Sequence, residues 1–357
     1  MLKYLVYIPI FGLACSILIT VPAYAQNTDS SIEGIVYDYK TKKAMAGANV
    51  YLSQTTLGDV SDDEGFFRIE NIPVGTYELV ISFVGYELYN TKVHIGEGEE
   101  LFIEQYLSPR EESLGELTVI SERDKRWERD LNRFEKFFIG ETGNGAQTEI
   151  QNPEVLRFDT DMSTLIATTE RDLLILNKAL GYEIVVDLMF FEWNYLNDSG
   201  STLYFYRFQE LEPSSERELS RWQENRQQTY KYSKERFLRS LISKENGGQY
   251  ETSGGSIKPV KQLKENTYNL FDDTNQIYRF RVDIGGLDNN VTVKIDDWRV
   301  MNDTKYGYVG YNKSLERTEK EMFIDSNGSM QNPLDFTFDG IWYKHRLADK
   351  LPLNFRD

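Results

Sequence analysis

Hydrophobic and polar residues alternate in short runs over residues 31–108, and turn-forming residues separate these runs at roughly ten-residue intervals. Alternation with period two places every second side chain on the same face of a strand. Several short alternating runs spaced in this way predict an all-β sandwich. The positions expected to face its core are Ile32, Gly34, Val36, Asp38, Ala48, Val50, Leu52, Phe67, Ile69, Tyr77, Leu79, Ile81, Phe83, Leu101, Ile103 and Gln105.

Turn-forming residues predict two turns in this segment, at residues 62–65 (Asp-Asp-Glu-Gly) and 72–75 (Ile-Pro-Val-Gly). Aspartate side chains accept hydrogen bonds from nearby backbone amides, and glycine adopts positive φ without strain. Asp62, Asp63 and Glu64 also raise the alternative of a calcium site. Because a calcium loop needs six or more oxygen ligands at wider spacing, we interpret these residues as a hairpin turn.

The second half of the chain mixes helical and strand patterns. Over residues 123–139 apolar side chains recur every three or four positions, which predicts a helix that Gly140 ends. Ser214 or Ser215 begins a second helix reaching about Ser243, because residues 215–218 form a capping box. Strands are predicted at residues 155–158, 165–168, 173–176, 182–191, 203–208, 278–282, 291–295, 306–311, 321–324 and 336–342, with a loop or hairpin between the glycine pairs at 247–248 and 254–255.

The continuous apolar run at residues 184–191 predicts a central strand covered on both faces. The fold class that follows for the chain is multidomain, an all-β sandwich followed by an α+β domain. We expect a sandwich over residues 31–108, a linker over 109–123 that begins after Ser108 with Pro109, and the α+β domain over 124–357.

The first 25 residues have the pattern of a secretory signal peptide. A short positive start precedes an apolar run, and Ala23 and Ala25 supply the small residues that a signal peptidase recognises, so cleavage is expected before Gln26. A retained membrane helix and a lipid anchor at Cys15 are the alternatives. The residue three before Cys15 is Gly12 rather than an apolar residue, which disfavours lipidation. We therefore expect an exported protein of the periplasm, outer membrane or cell surface, with no transmembrane helix in the mature chain.

Composition restricts the partners. The 357 residues include 40 basic and 57 acidic side chains, a net charge of −17, and this acidic surface disfavours nucleic acid as a partner. The single cysteine, Cys15, lies in the predicted leader, so the mature chain has no thiol for catalysis or for a zinc–cysteine site. We expect no cofactor and no metal.

The runs GIVYD, GANVYL and DDEGFFRIENIPVGTYELVISFVGY resemble the carboxypeptidase-regulatory-like domain found in secreted and outer-membrane proteins of the Bacteroidetes type. Gly34, Asp38, residues 47–50, Asp62 and residues 65–66, 75–79 and 85–86 carry the resemblance. Residues 44–46 depart from it, since the family usually has proline there. The resemblance implies a prealbumin-like sandwich and no catalysis.

The second half resembles the remainder of a group of secreted proteins that carry the same first module. The stretches concerned are FFIGET at 137–142, NPEVLRFD at 152–159, LILNKALGYEI at 174–184, RWQENRQQTYKYSKERFLRSL at 221–241 and GIWYKHRLADKLPLNF at 340–355. This resemblance implies location and architecture, and it implies no chemistry.

Two histidines raise a zinc hypothesis. His94 and Glu97 have the H-x-x-E spacing of a zinc carboxypeptidase, and His345 is the other histidine. Positions i and i+3 of a strand point to opposite faces, so we interpret His94 and Glu97 as a surface strand and its turn. His345 is also the other candidate base for a serine triad, but its basic aromatic neighbours favour a contact in the C-terminal segment.

Two carboxylate pairs and one helix face are the remaining candidates for a catalytic or binding site. Asp159 with Asp161, or Asp296 with Asp297, could flank a glycosidic bond, although such pairs arise by chance among 57 acids. Trp222, Asn225 and Arg226 share one side of the second helix, as do Arg236, Arg239 and Ser240, and could clamp a ligand. We favour a structural role in which Arg and Asn hydrogen-bond buried backbone.

Nucleotide-binding glycine loops and the nucleophile elbow of hydrolases are missing from the sequence. No catalytic residue is therefore assigned, and the binding residues stay unknown. The sequence favours a non-catalytic binding or scaffold module whose partner is an envelope protein or glycan. The alternative is a hydrolase acting on envelope glycan or peptide.

Overall fold

The computed structural model describes residues 30–110, 125–242, 250–252, 255–257, 267–271, 277–284, 291–294, 298–302, 305–311, 321–324, 327–330 and 336–355. The predicted leader and residues 111–123 of the predicted linker lie outside these ranges. Asp296 and Asp297 do so too. Within the described residues, no helix combines the length and the apolar character that crossing a membrane requires.

Residues 30–110 form the predicted β-sandwich of two sheets. One sheet has the order β4-β1-β7, in which β1 is antiparallel to β4 and parallel to β7. The other has the order β3-β2-β5-β6, with every pair antiparallel. The strands are β1 (Ser31–Asp38), β2 (Asn49–Leu52), β3 (Gly58–Val60), β4 (Phe66–Ile69), β5 (Gly75–Ser82), β6 (Tyr89–Ile95) and β7 (Glu100–Leu107).

Alternation correctly identified the inner faces of this sandwich. Val36, Leu79 and Ile81 are fully buried, as predicted, in one hydrophobic core between the sheets. An added Cβ on Gly34 would lie 2.0 Å from the Ile103 carbonyl oxygen and 2.8 Å from Phe67 Cε1, which explains a glycine inside a strand. Strand β3 was not predicted, because its three residues are all exposed and have no apolar alternation.

The second part begins with a helix packed on a six-stranded sheet. The sheet has the order β8-β11-β12-β10-β9, and β13 pairs with β12. Ile184 and Val186 of β12 lie in the second hydrophobic core. Val185, on the opposite face, is also buried, which confirms a central strand covered on both sides. The elements are α1 (Lys125–Phe138), β8 (Thr148–Ile150), β9 (Leu156–Thr160), β10 (Thr164–Thr169), β11 (Leu173–Asn177), β12 (Tyr182–Asn194) and β13 (Ser199–Glu210).

The single long helix predicted up to about Ser243 is wrong, because the structure has two helices, α2 (Glu216–Lys231) and α3 (Lys234–Ile242). The start at Ser215 is confirmed, since its hydroxyl accepts the backbone N–H of Glu218 at 3.3 Å. The break occurs where Ser233 becomes a second N-cap, its hydroxyl accepting the backbone N–H of Arg236 at 3.0 Å.

The remaining described elements are mostly strands in three smaller sheets. The strand predicted at residues 336–342 ends at Gly340, and Trp342 lies in a short helix. This geometry lets the indole Nε1 of Trp342 donate to the Tyr232 carbonyl at 3.2 Å. The elements are β14 (Tyr250–Thr252), β15 (Gly255–Ile257), β16 (Thr267–Phe271), β17 (Ile277–Ile284), β18 (Val291–Lys294), β19 (Trp298–Asn302), β20 (Lys305–Tyr311), β21 (Glu321–Ile324), β22 (Phe336–Gly340) and α4 (Ile341–Lys344).

Candidate functional site

The sandwich and the second sheet pack against each other. Tyr51 and Val80 lie on the outer face of β2 and β5, away from the sandwich core, yet both are completely buried. In the second sheet, Val185 pairs with Arg207 on the face that points away from the second core. Contacts from Arg207 to the Tyr51 ring and to Asn49 join these two outer faces.

Backbone hydrogen bonds fasten the contact. The turn after β2 runs beside β13, where Gln54 N donates to the Tyr206 carbonyl at 2.6 Å and Phe208 N donates to the Thr55 carbonyl at 2.9 Å. From the C-terminal segment, Leu353 N donates to the Gln54 carbonyl at 2.7 Å. The free edge of β13 is therefore covered by the sandwich. The sandwich is held against the second sheet by backbone bonds as well as by side chains.

A polar cluster lies within this contact. The Tyr51 hydroxyl donates to the Asp187 carboxylate. The Arg207 guanidinium lies over the Tyr51 ring, 5.0 Å from its centroid, and its Nη2 donates weakly to Asn49 Oδ1 at 3.4 Å. Arg207 Nη1 is buried and has no hydrogen-bond partner among the described residues. A buried donor without a partner is costly, so a ligand that accepted from it would be favoured.

Two carboxylates meet in the same cluster. Burial, together with the neighbouring Asp172 carboxylate, raises the pKa of Asp187 to about 7, although the Tyr51 hydrogen bond and the Arg207 charge act in the opposite direction. Burial also raises the pKa of the Tyr51 phenol, so Tyr51 stays a donor. The Asp172–Asp187 pair can therefore hold a proton near neutral pH, which leaves one carboxyl able to donate.

A cavity of about 320 Å³ opens beside the carboxylates, between the sandwich and the second sheet. The sandwich contributes Asn49, Phe83 and Tyr86 to its wall, and the second sheet contributes Asp172 and Asp187. The wall also includes the exposed cation Arg171. We call this cavity the interface cleft. It offers carboxylates, an amide, aromatic rings and a cation, a mixture suited to a polar ligand with several hydroxyl or amide groups.

The helix-face candidates have structural roles, as we favoured. Trp222 Nε1 donates to the Lys178 carbonyl at 3.0 Å, and Asn225 Nδ2 donates to the Ala179 carbonyl at 2.8 Å. Arg226 Nε donates to the Leu180 carbonyl at 2.7 Å. These side chains satisfy three successive carbonyls of the turn between β11 and β12, so α2 docks on the second sheet through buried backbone.

The second group on this helix face has a similar role. Arg239 Nε donates to the Asn327 carbonyl at 2.9 Å, and its Nη1 donates to the Phe355 carbonyl at 3.0 Å. Arg236 Nη1 donates to the Lys231 carbonyl at 3.1 Å. Arg239 thereby ties two distant segments to α3. The Ser240 side chain lies outside the described part.

The histidine candidates are placed on different elements. His94 is exposed on β6, where its Nδ1 lies 3.1 Å from Thr76 Oγ1, and Glu97 is exposed in the following turn. His345 follows α4 and interacts with the buried Asp349 carboxylate. Among the residues that the structure describes, no three His, Cys, Asp or Glu side chains form a group able to hold a metal ion.

Asp161 and Asp62 stabilise turns, whereas Asp159 lies on a strand. Asp161 Oδ1 accepts the backbone N–H groups of Ser163 at 2.7 Å and Thr164 at 2.6 Å, and these bonds lower the pKa of Asp161. Asp159 is exposed on β9. Asp62 Oδ1 accepts from Phe66 N at 2.8 Å, which confirms the hairpin turn.

Sequence reasoning missed the cleft residues. Asp187 gave a signal, since it is the only charged residue in the apolar run 184–191. A lone acid in a strand covered on both faces needs a partner. Its partner Tyr51 is 136 positions away, and nothing local indicates that pairing.

Several solved structures share limited similarity with the chain. A chain of a type II cohesin–X-dockerin complex from Acetivibrio cellulolyticus is 20% identical, with a TM-score of 0.19, over 21% of this chain and 52% of that one. The major pilin subunit of Bacillus cereus is 21% identical, with a TM-score of 0.21, over 23% and 31%. A DUF3823 family protein from Bacteroides ovatus is 10% identical, with a TM-score of 0.18, over 52% and 82%. The chain thus spans about half the length of the cohesin–dockerin chain it matches.

No curated protein matches the sequence. A family model does match its first part, over the strands of the sandwich and the residues that follow them. This agrees with the resemblance of that segment to the carboxypeptidase-regulatory-like domain. Residues 32–119 match the model of the CarboxypepD_reg-like domain.

Proposed function

We propose that the protein is an exported envelope protein that acts as a non-catalytic binding module, with its ligand in the interface cleft. The observation that carries the proposal is the buried Arg207 Nη1, which has no partner among the described residues and belongs to a guanidinium that contacts the cleft residue Asn49. A ligand oxygen that reached this donor would remove an energetic cost already present in the free protein.

The cleft walls support binding by a fixed site. Backbone bonds from the turn at residues 53–55 to β13 hold the two walls at a set separation. A preformed site loses little conformational entropy when it binds a ligand. The partner that fits is an envelope glycan or a polar peptide segment, because the wall combines amide, carboxyl and aromatic groups.

The proposal includes removal of the leader and the boundaries of the domains. Removal of residues 1–25 would release a mature chain that begins at Gln26, with the sandwich over 31–108, the linker over 109–123 and the α+β domain over 124–357. Mass spectrometry of the full chain expressed in a Gram-negative host tests the leader, with a mature mass beginning at Gln26 as the expected result. An intact Met1 terminus in the exported fraction contradicts it.

A binding experiment tests the cleft. Immobilised chain over residues 26–357 is exposed to solubilised envelope glycan and peptide fractions, beside the variants Arg171→Glu and Asp187→Asn. We expect both variants to lose retention of the same component, because both residues line the cleft. Lys178→Gln is the matched control, since Lys178 is outside the cleft in an exposed pair with Glu149. Equal retention by all four proteins contradicts the proposal.

One observation favours a second candidate, a hydrolase. The Asp172–Asp187 pair has a carboxyl whose pKa of about 7 suits a general acid. The two carboxyls are hydrogen-bonded to each other, whereas glycosidase carboxyls stand roughly 5–9 Å apart, which disfavours glycoside cleavage. Product formation from envelope glycan or peptide that Asp172→Asn and Asp187→Asn both abolish would establish the hydrolase. Activity that persists in these two variants but is lost when Asp159, Asp161 or His345 is replaced would place the catalytic site at those residues instead.

A further inference from the structure

A second cavity, of about 510 Å³, lies on a different part of the molecule. Its wall combines the end of α1, the turn that follows α1, Asp198 from the β12–β13 loop, and the segment from Tyr343 to Arg346. None of its wall residues belongs to the interface cleft. We call it the helix-end cavity.

Arg346 is held in place at this cavity. Its guanidinium carbon lies 5.3 Å from the centroid of the Trp193 ring and 4.6 Å from that of the Tyr343 ring. An added Cβ on Gly140 would lie 3.0 Å from Arg346 Cβ, so the glycine allows the arginine stem to approach closely. Cation–π contacts with two rings fix the guanidinium before any ligand arrives.

The charges around the cavity are unequally paired. Lys136 Nζ lies 3.3 Å from Glu141 Oε2, and the Tyr343 hydroxyl lies 3.1 Å from Asp198 Oδ2. Arg346 reaches the Tyr343 hydroxyl but no carboxylate within the described ranges, and Lys344 pairs with none there either. In a chain with a net charge of −17, two cations at one cavity that have no carboxylate partner in the described part of the chain favour an anionic ligand.

Aromatic surface accompanies these cations. Phe137 lines the cavity and stacks on Trp193, with centroids 4.2 Å apart and planes 15° apart. Tyr343 is 37% exposed. Trp193 itself is buried, and its Nε1 has no hydrogen-bond partner in the described structure. Trp193 is therefore a support behind the wall and not part of it, whereas Phe137 and Tyr343 face the cavity. Flat rings beside a cation suit a ligand with an apolar ring face and a negative group.

We propose that the helix-end cavity binds a sugar acid, a pyranose that carries a carboxylate. The carboxylate lies against Arg346 and Lys344, where the planar guanidinium can donate two parallel hydrogen bonds. The C–H face of the sugar ring lies on Tyr343 or Phe137. This site shares no residue with the interface cleft, so the proposal for the helix-end cavity can be tested independently of the proposed function.

Isothermal titration calorimetry of the purified chain with galacturonic acid and short oligogalacturonates tests the proposal. Galactose and a short acidic peptide are titrated for comparison. We expect the chain to bind the uronates and to bind galactose at least tenfold more weakly, because loss of charge-assisted hydrogen bonds costs roughly this factor in affinity. We also expect uronate affinity to fall as the salt concentration increases. We expect Arg346→Gln to weaken uronate binding about tenfold or more and Lys344→Gln to weaken it several-fold. The control Lys178→Gln should bind as the parent chain does.

Lys344 is exposed, so its variant keeps the test informative if Arg346→Gln does not fold. Uronate affinity that is unchanged in a folded Arg346→Gln overturns the proposal, and so does unchanged affinity in Lys344→Gln if Arg346→Gln does not fold. Equal affinity for galactose and galacturonate also overturns it. Binding of the acidic peptide without binding of uronate overturns the assignment to a sugar.

Discussion

The Tyr51 hydroxyl on β2 of the sandwich donates a hydrogen bond to the Asp187 carboxylate on β12 of the second sheet. The two hydrophobic cores form separate clusters, and this bond is one of several polar contacts that join the sandwich to the second sheet. Because Tyr51 is completely buried, water cannot readily replace Asp187 as the acceptor for the Tyr51 hydroxyl. Removal of either partner should therefore weaken the contact between the sandwich and the second sheet.

Tyr51→Phe is expected to lower the free energy of unfolding by about 1–3 kcal/mol, because it leaves Asp187 without its buried donor. Urea denaturation followed by fluorescence measures the change. Tyr39→Phe, at a position 56% exposed in the same sandwich, should change it by less than about 0.5 kcal/mol. A double-mutant cycle with Asp187→Ala, which removes the acceptor, should give a coupling energy, and additive effects would contradict a direct bond.

Asp187 should also make stability depend on pH. Its pKa is raised from 3.8 to about 7, so the folded state holds a proton that the unfolded state has released between these values. The stabilising contribution is complete below about pH 4 and is lost as the pH rises through about 7, with a slope of at most about 1.4 kcal/mol per pH unit. Urea denaturation between pH 4 and 8 should show a flatter profile for Asp187→Asn. An unchanged profile would mean that Asp187 is ionised throughout.

Gly181→Ala should destabilise the docking of α2 by about 2–4 kcal/mol. Gly181 has φ of +70°, and an added Cβ would lie 2.3 Å from Trp222 Cδ2, so both backbone strain and a clash with a buried indole follow. Gly98→Ala separates the two effects, because Gly98 has φ of +65° and no atom within 4 Å of an added Cβ. We expect Gly98→Ala to cost only about 1 kcal/mol in thermal or urea unfolding. Equal effects of the two variants would show that the clash with Trp222 is unimportant.

Glu235 and Lys350 connect α3 with the C-terminal segment through a partly buried ion pair of 3.1 Å. Lys350 and Lys234 lower the pKa of Glu235 to about 2, against the effect of burial. Glu235→Gln leaves both lysines without this charge, so we expect a loss of about 2 kcal/mol in unfolding free energy. Glu149→Gln removes an exposed pair with Lys178 and should cost less than about 0.5 kcal/mol. Similar losses would mean that water screens the Glu235 pair as fully as the exposed one.

The prediction of one helix up to about Ser243 shows where sequence reasoning stopped. The sequence of residues 216–242 is compatible with one continuous helix, and a serine such as Ser233 does not by itself mark a break. It became an N-cap because α3 turns toward other segments, where Arg239 binds the carbonyls of Asn327 and Phe355. Those partners are 88 and 116 positions away, so no local pattern reports them.

The sequence by itself determined the local elements of the sandwich and most strands of the second sheet, because periodicity of two or of about 3.6 is a property of neighbouring residues. It favoured, without deciding, a structural role for Asn225 and Arg226, and the structure supplies their acceptors, the carbonyls of Ala179 and Leu180. Only the tertiary structure decided that Tyr51, Asp172, Asp187 and Arg207 meet, and that Arg346 lies between Trp193 and Tyr343. Both sites form where distant segments pack together, and alternation along a strand fixes which face a side chain takes but not what lies opposite that face.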